Sequence, residues 1–148
     1  MNVTLDRLLE FIGNHWIMSS ALFIVTYLLV QDLIETAFRK YKTVTPNQAV
    51  LLMNNDGTLV VDVREPHEYA EGHIEGAKNI PLNKIEQSAR EIEAYKGSPI
   101  IVGCQSGTRS PAACKKLHAL GFTRVFEMTG GMVAWKEQNL PISKKRKS

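Results

Sequence analysis

Residues 11–31 form a stretch of 21 positions without Asp, Glu, Lys or Arg, bounded by Glu10 and Asp32. No other feature limits the fold as strongly. As a helix rising about 1.5 Å per residue, it matches the roughly 30 Å hydrocarbon core of a bilayer. Its apolar centre, WIMSSALFIVTYLLV, carries Trp16 and Tyr27 near its two ends, where interfacial aromatics belong. A cleaved signal peptide fits less well, because the flank MNVTLDRLLE is not cationic and no A-x-A-like site follows. A buried core helix is also disfavoured, since the remaining residues suffice for a complete domain. The expected organisation is a flank at 1–10, a transmembrane helix at 11–31, a juxtamembrane helix or linker at 32–42, a folded domain at 43–142 and a basic tail at 143–148. Arg7 alone precedes the span, whereas Arg39, Lys40 and Lys42 follow it. That bias predicts an outside N-terminus and a cytoplasmic domain.

The charge of the whole chain, +3, comes from its edges. Between residues 43 and 143 there are ten basic and eleven acidic side chains, so the body carries no excess to attract nucleic acid. Lys144, Lys145, Arg146 and Lys147 account for the surplus. Two cysteines, Cys104 and Cys114, supply neither a metal-ligand spacing nor a disulfide framework, and a reducing compartment is the simpler expectation.

Within the body, strand and helix signals alternate. Thr45 is an expected N-cap with Pro46 at the first helical position. TLVVDV, AKNIPL, PIIVGC and RVFEM read as strands; PHEYAEG, NKIEQSAREIEAYKG, PAACKKLHALG and GMVAWKEQNL read as helices. Strands that are apolar on both faces point to a parallel sheet covered on both sides.

In such a sheet, ligands bind beyond the carboxyl ends of the strands. Cys104 lies at one such end, directly after IIVG, in the stretch VGCQSGTRSPAA. Ser110 as N-cap and Pro111 as first residue would start a helix at once, and its free N–H groups favour a thiolate or an anion. Gly107 permits a backbone twist that turns successive amides inward as a nest. Arg109 adds a permanent charge with a planar fork of donors. Together these point to an activated cysteine beside an anion cradle.

CQSGTRS resembles the active-site loop of rhodanese-like sulfurtransferases. The resemblance extends to VVDVREPHEYAEGHIEGAKNIPL, with its Asp-x-Arg strand end and Gly-His-Ile segment, and to GFTRVFEMTGGMVAWKEQNLPI, with its Gly-Gly and Trp ending. It covers residues 42–142, and with the N-terminal span the chain is similar to small membrane-anchored single-domain members. The resemblance implies a three-layer α/β/α domain with a mainly parallel five-stranded sheet. It implies that Cys104 takes a sulfane sulfur from a donor such as thiosulfate and passes it to a thiol or protein acceptor. Backbone amides of Gln105, Ser106, Gly107, Thr108, Arg109 and Ser110 would hold the sulfur and an anionic donor, with Arg109 pairing the donor's charge. Asp62 and Arg64 would support the loop, and no metal or organic cofactor is required.

Two other functions share this architecture. Phosphatases and arsenate reductases separate their cysteine and arginine by five residues; here Gln105, Ser106, Gly107 and Thr108 make four, a loop better matched to one sulfur atom than to a tetrahedral oxyanion. A non-catalytic adaptor docking a membrane partner is the other, and retention of Cys104 and Arg109 speaks against it. His73 is expected to bond backbone at a turn, Cys114 and Trp135 to pack in the interior, and His118 to lie at the surface. Donor, acceptor and oligomeric state are left open.

Overall fold

The computed structural model describes residues 2–55 and 57–144. The tail residues Lys145, Arg146, Lys147 and Ser148 lie outside them. The chain divides into two compact units, Met1–Arg39 and Lys40–Ser148.

The first unit holds two helices, α1 (Asn2–Asn14) and α2 (Trp16–Ala37), separated at His15. Helix α2 has 22 residues, none of them buried, and is long and apolar enough to cross a membrane. It starts later than residue 11 and continues through Asp32 and Glu35 to Ala37, into the stretch expected as a juxtamembrane helix or linker, with Phe38 at its C-cap. Adding a residue to an existing helix costs little even past the apolar stretch.

The second unit is an α/β domain built on one five-stranded sheet. Its strands are β1 (Lys42–Val44), β2 (Leu59–Asp62), β3 (Lys78–Asn79), β4 (Ile100–Gly103) and β5 (Val125–Met128). They lie in the order β1-β5-β4-β2-β3, and every neighbouring pair is parallel. Strand pleating sends alternate side chains into two cores. Val61, Val63, Val102 and Cys104 enter one, with Ala113, Cys114 and Leu117 from α6 (Ser110–Ala119). Val60, Ile101 and Met128 enter the other, with Ala49 from α3 (Pro46–Met53) and Met132 and Trp135 from α7 (Gly131–Glu137). The three layers expected from the sequence are therefore present. Helix α3 begins as expected: the Thr45 hydroxyl accepts from the Gln48 amide, and the Gln48 side chain accepts from the Thr45 amide.

The stretch expected as one helix at 83–97 is instead a 3₁₀ turn (Leu82–Lys84), a single α-turn α5 (Ile85–Ser88) and a 3₁₀ helix (Ala89–Tyr95). Ala89, Ile92 and Tyr95 recur every third residue, the period of the tighter helix, and this keeps all three against the core. Strand β1 went unrecognised in the sequence. It has three residues, and Lys42 and Thr43 are exposed, so only Val44 carries a buried-strand signal.

Candidate active site

The loop after β4 is shaped from behind. Helix α7 presents its first amides to it: Met132 N–H donates to the Cys104 carbonyl at 2.8 Å, and Val133 N–H to the Gln105 carbonyl at 3.0 Å. With those carbonyls drawn backward, the loop amides are free to turn forward. Gly131 permits the approach. It has φ +55°, and a methyl group there would sit 2.9 Å from the Gln105 carbonyl carbon. Gly107, at φ +90°, makes the inward twist expected of it and passes against the Gly130 amide.

The result is a ring of donors around one sulfur. Gly107 N–H and the Ser110 hydroxyl each donate to Cys104 Sγ at 3.0 Å. Burial pushes the Cys104 thiol up. The Ser110 hydroxyl and the amides of Arg109, Ser110 and Gly107 outweigh it, and the net direction is downward, toward thiolate. Cys104 is fully covered in this arrangement.

Ser110 departs from its expected part. It is the first residue of α6 rather than its N-cap; the cap position belongs to Arg109, which makes no side-chain capping bond. The Ser110 hydroxyl is turned to the buried sulfur instead.

Arg64 is the second anchor. Its guanidinium, 2% exposed, pairs with Asp62 at 2.6 Å, donates to the Gly72 carbonyl at 2.7 Å and reaches the Gln105 side-chain oxygen at 3.1 Å. Asp62 and Arg64 thus tie the end of β2 to the loop. Gln105 is held at both its side chain and its carbonyl. Ser106 and Thr108 are exposed, and their hydroxyls lie 3.4 Å apart.

Arg109 does not stand free. Both its terminal nitrogens donate to Glu68 of α4 (Pro66–Glu71), each at 2.8 Å. The Arg109 side chain holds the Glu68 carboxyl well below the usual range, at about 2.

The family model for the rhodanese-like domain matches residues 45–138. The chain belongs to the rhodanese-like family. An uncharacterised Escherichia coli protein, YibN, is 29% identical over 139 residues, covering 93% of this chain and 97% of that one. A sulfurtransferase of Allochromatium vinosum is 37% identical over 91 residues, 62% of this chain and 83% of its own. Among solved structures, a rhodanese-related protein from Thermoplasma volcanium superposes with a TM-score of 0.62 at 30% identity, covering 71% of this chain and all of that one.

In this rhodanese-like domain, Gly107, Arg109 and Ser110 of the loop singled out from the sequence face the Cys104 sulfur, and Arg64, paired with Asp62, reaches the loop at Gln105. Glu68 and the amides of Met132 and Val133 were not foreseen. Glu68 had one available signal: its spacing from Glu65 forms a capping box, in which the Glu65 amide donates to the Glu68 carboxylate at 3.0 Å. His73 bonds the Tyr69 carbonyl at 2.8 Å and stacks on the Tyr69 ring. Trp135 is buried and donates to the Pro141 carbonyl at 2.9 Å. His118 is half-buried. Among the described residues, no cluster of His, Cys, Asp and Glu is arranged to hold a metal ion.

Proposed function

We propose that this rhodanese-like protein is a sulfurtransferase that carries a sulfane sulfur on Cys104. The observation that carries the reading is the convergence of donors on Cys104 Sγ, from Gly107 N–H and the Ser110 hydroxyl at 3.0 Å and from the Arg109 and Ser110 amides. Such a ring stabilises a thiolate before attack and the terminal sulfur afterwards, because its dipoles are already oriented when the charge arrives. With thiosulfate, the thiolate attacks the outer sulfur; the new S–S bond forms as the bond to the sulfonate sulfur breaks, and sulfite leaves with the electron pair. An acceptor thiolate then takes the outer sulfur and returns Cys104 as thiolate. Because Cys104 is fully covered, donor entry requires the structure around it to open.

The second part of the reading is topological. Helix α2 anchors the chain in a membrane, with the sheet domain on the cytoplasmic side. Arg39, Lys40 and Lys42 support that orientation, since basic residues flanking a span favour the inner face.

Intact-mass measurement of the full chain after exposure to thiosulfate or cysteine persulfide tests the chemistry. A gain of one sulfur atom on wild type and none on Cys104→Ala is expected; no gain from either donor would overturn it. Protease accessibility of the domain in inverted membrane vesicles tests the orientation, and protection there would overturn it.

A further inference from the structure

The Arg109 fork is the natural seat for a small anionic donor, yet both its terminal nitrogens are taken by Glu68 at 2.8 Å. This is a built contact. Glu68 Oε2 also accepts from the Glu65 amide at 3.0 Å, so three donors hold the two carboxylate oxygens. The bidentate, charge-assisted form is among the stronger pairings a guanidinium makes. The surroundings are of the same sign: residues 65–77 contain four glutamates and neither Lys nor Arg.

Resting on the sulfur-transfer reading, we infer that Glu68 is a specificity-determining residue, which withholds Arg109 from dianionic donors and leaves the site to persulfides carried on thiols. For thiosulfate to use the fork, Glu68 must first be displaced. Otherwise a dianion must approach a thiolate past an unmoved carboxylate. The persulfide group of R–S–SH carries at most one negative charge and needs no guanidinium. The Cys104 thiolate attacks its terminal sulfur, the new S–S bond forms, the S–S bond of the persulfide breaks, and R–S⁻ departs with the electron pair. The proton stays on the transferred sulfur, so atoms and charge balance.

The test uses the full chain in detergent micelles. It reads the ratio of the second-order rate constants for Cys104 loading by thiosulfate and by cysteine persulfide. Glu68→Gln should raise the thiosulfate-to-persulfide ratio about tenfold or more, within the range over which local fields alter the encounter of charged reactants. An unchanged or lowered ratio overturns the inference. So does an equal rise in Glu71→Gln, which removes a nearby charge that makes no contact with Arg109, because the effect would then belong to the patch and not to the pair. Should Glu68→Gln fail to fold, salt dependence on wild type decides. Between about 0.02 M and 0.2 M salt, thiosulfate loading should accelerate, since screening relieves like-charge repulsion; a fall would reveal an open cationic seat and overturn the inference. Loading of wild type by neither donor is a distinct result, which removes the sulfur-transfer reading itself.

Discussion

Cys104 and Cys114 are ten residues apart, both fully buried and both in the same core layer of the sheet. Burial pushes both thiols up, yet their net directions are opposite. At Cys104 the Ser110 hydroxyl and three amides overcome it. At Cys114, halfway along α6, the charges of Glu127 and Cys104 add to the upward push of burial, and the one opposing contribution, from its own backbone amide, does not overcome them. Burial therefore does not decide whether a cysteine is reactive in this domain. What decides is whether backbone donors are left over to face it, and a loop leaves them over where a helix interior does not.

The contrast is most sharply broken by exchanging the cysteines' fates. Cys104→Ala should abolish sulfur loading, while Cys114→Ala should keep loading within about twofold and cost about 1–2 kcal/mol of stability through a small cavity. Mass spectrometry and thermal unfolding read both, and sulfur found on Cys114 of the Cys104→Ala protein would erase the distinction. Next in size is Gly131→Ala. A methyl group there meets the carbonyls of Cys104 and Gln105, so the loop must shift; a loss of about 2–3 kcal/mol is expected. Loading should fall about a hundredfold, as displacement by an ångström does in a positioned site. Full activity in this variant would show that the backing by α7 is not what aims the donors.

Ser110→Ala removes one donor and leaves the amides. Loading should slow about tenfold, a barrier of about 1.4 kcal/mol. The midpoint of Cys104 alkylation against pH should move upward, because the Ser110 hydroxyl is the largest of the groups that lower the thiol. An unmoved midpoint would assign the downward shift to the amides alone.

The smallest effect lies at the rim of the loop. Glu68 titrates at about 2 when folded against 4.5 ordinarily. A carboxyl lowered by folding stabilises the fold above its ordinary value, and that contribution is lost as pH falls toward the folded one. Unfolding measured between about pH 4.5 and pH 2 should therefore show a shallower acid decline in Glu68→Gln than in wild type. Equal slopes would mean that the Arg109 pair contributes nothing to stability, as solvent-screened pairs often do not.

Much of this was legible from residue order. LVV and IIVG are apolar without interruption, which only a sheet covered on both faces can bury, and Cys104 directly follows one of them. Gly107 and Arg109 declared their backbone and charge requirements by residue type. Asp62 and Arg64 were placed behind the loop by family resemblance, and Arg64 does reach Gln105 from there. The parts that stayed hidden depend on contacts distant in sequence. Nothing local says that Arg109 will meet Glu68, 41 residues earlier, or that α7 amides will reach Cys104. Ser110 was read as a cap because serine is a favoured N-cap residue and Pro111 suits the first helical position. Its true partner is a sulfur brought close by the curl of the loop.

The strand order has one more consequence. Strand β1 has β5 as its neighbour, and the Thr129 hydroxyl closes that edge by donating to the Val44 carbonyl across 85 residues. A chain leaving the ribosome therefore presents its first strand long before the partner for it exists. The apolar helix at the N-terminus emerges earlier still. Docking of β1, and the α7 amides that shape the Cys104 loop, must wait for the last stretch of synthesis, because contacts between distant residues form only once both have been made. A chain ending short of α7 would carry Cys104 and its donors at 107–110 without the amides of Met132 and Val133 that hold the Cys104 and Gln105 carbonyls.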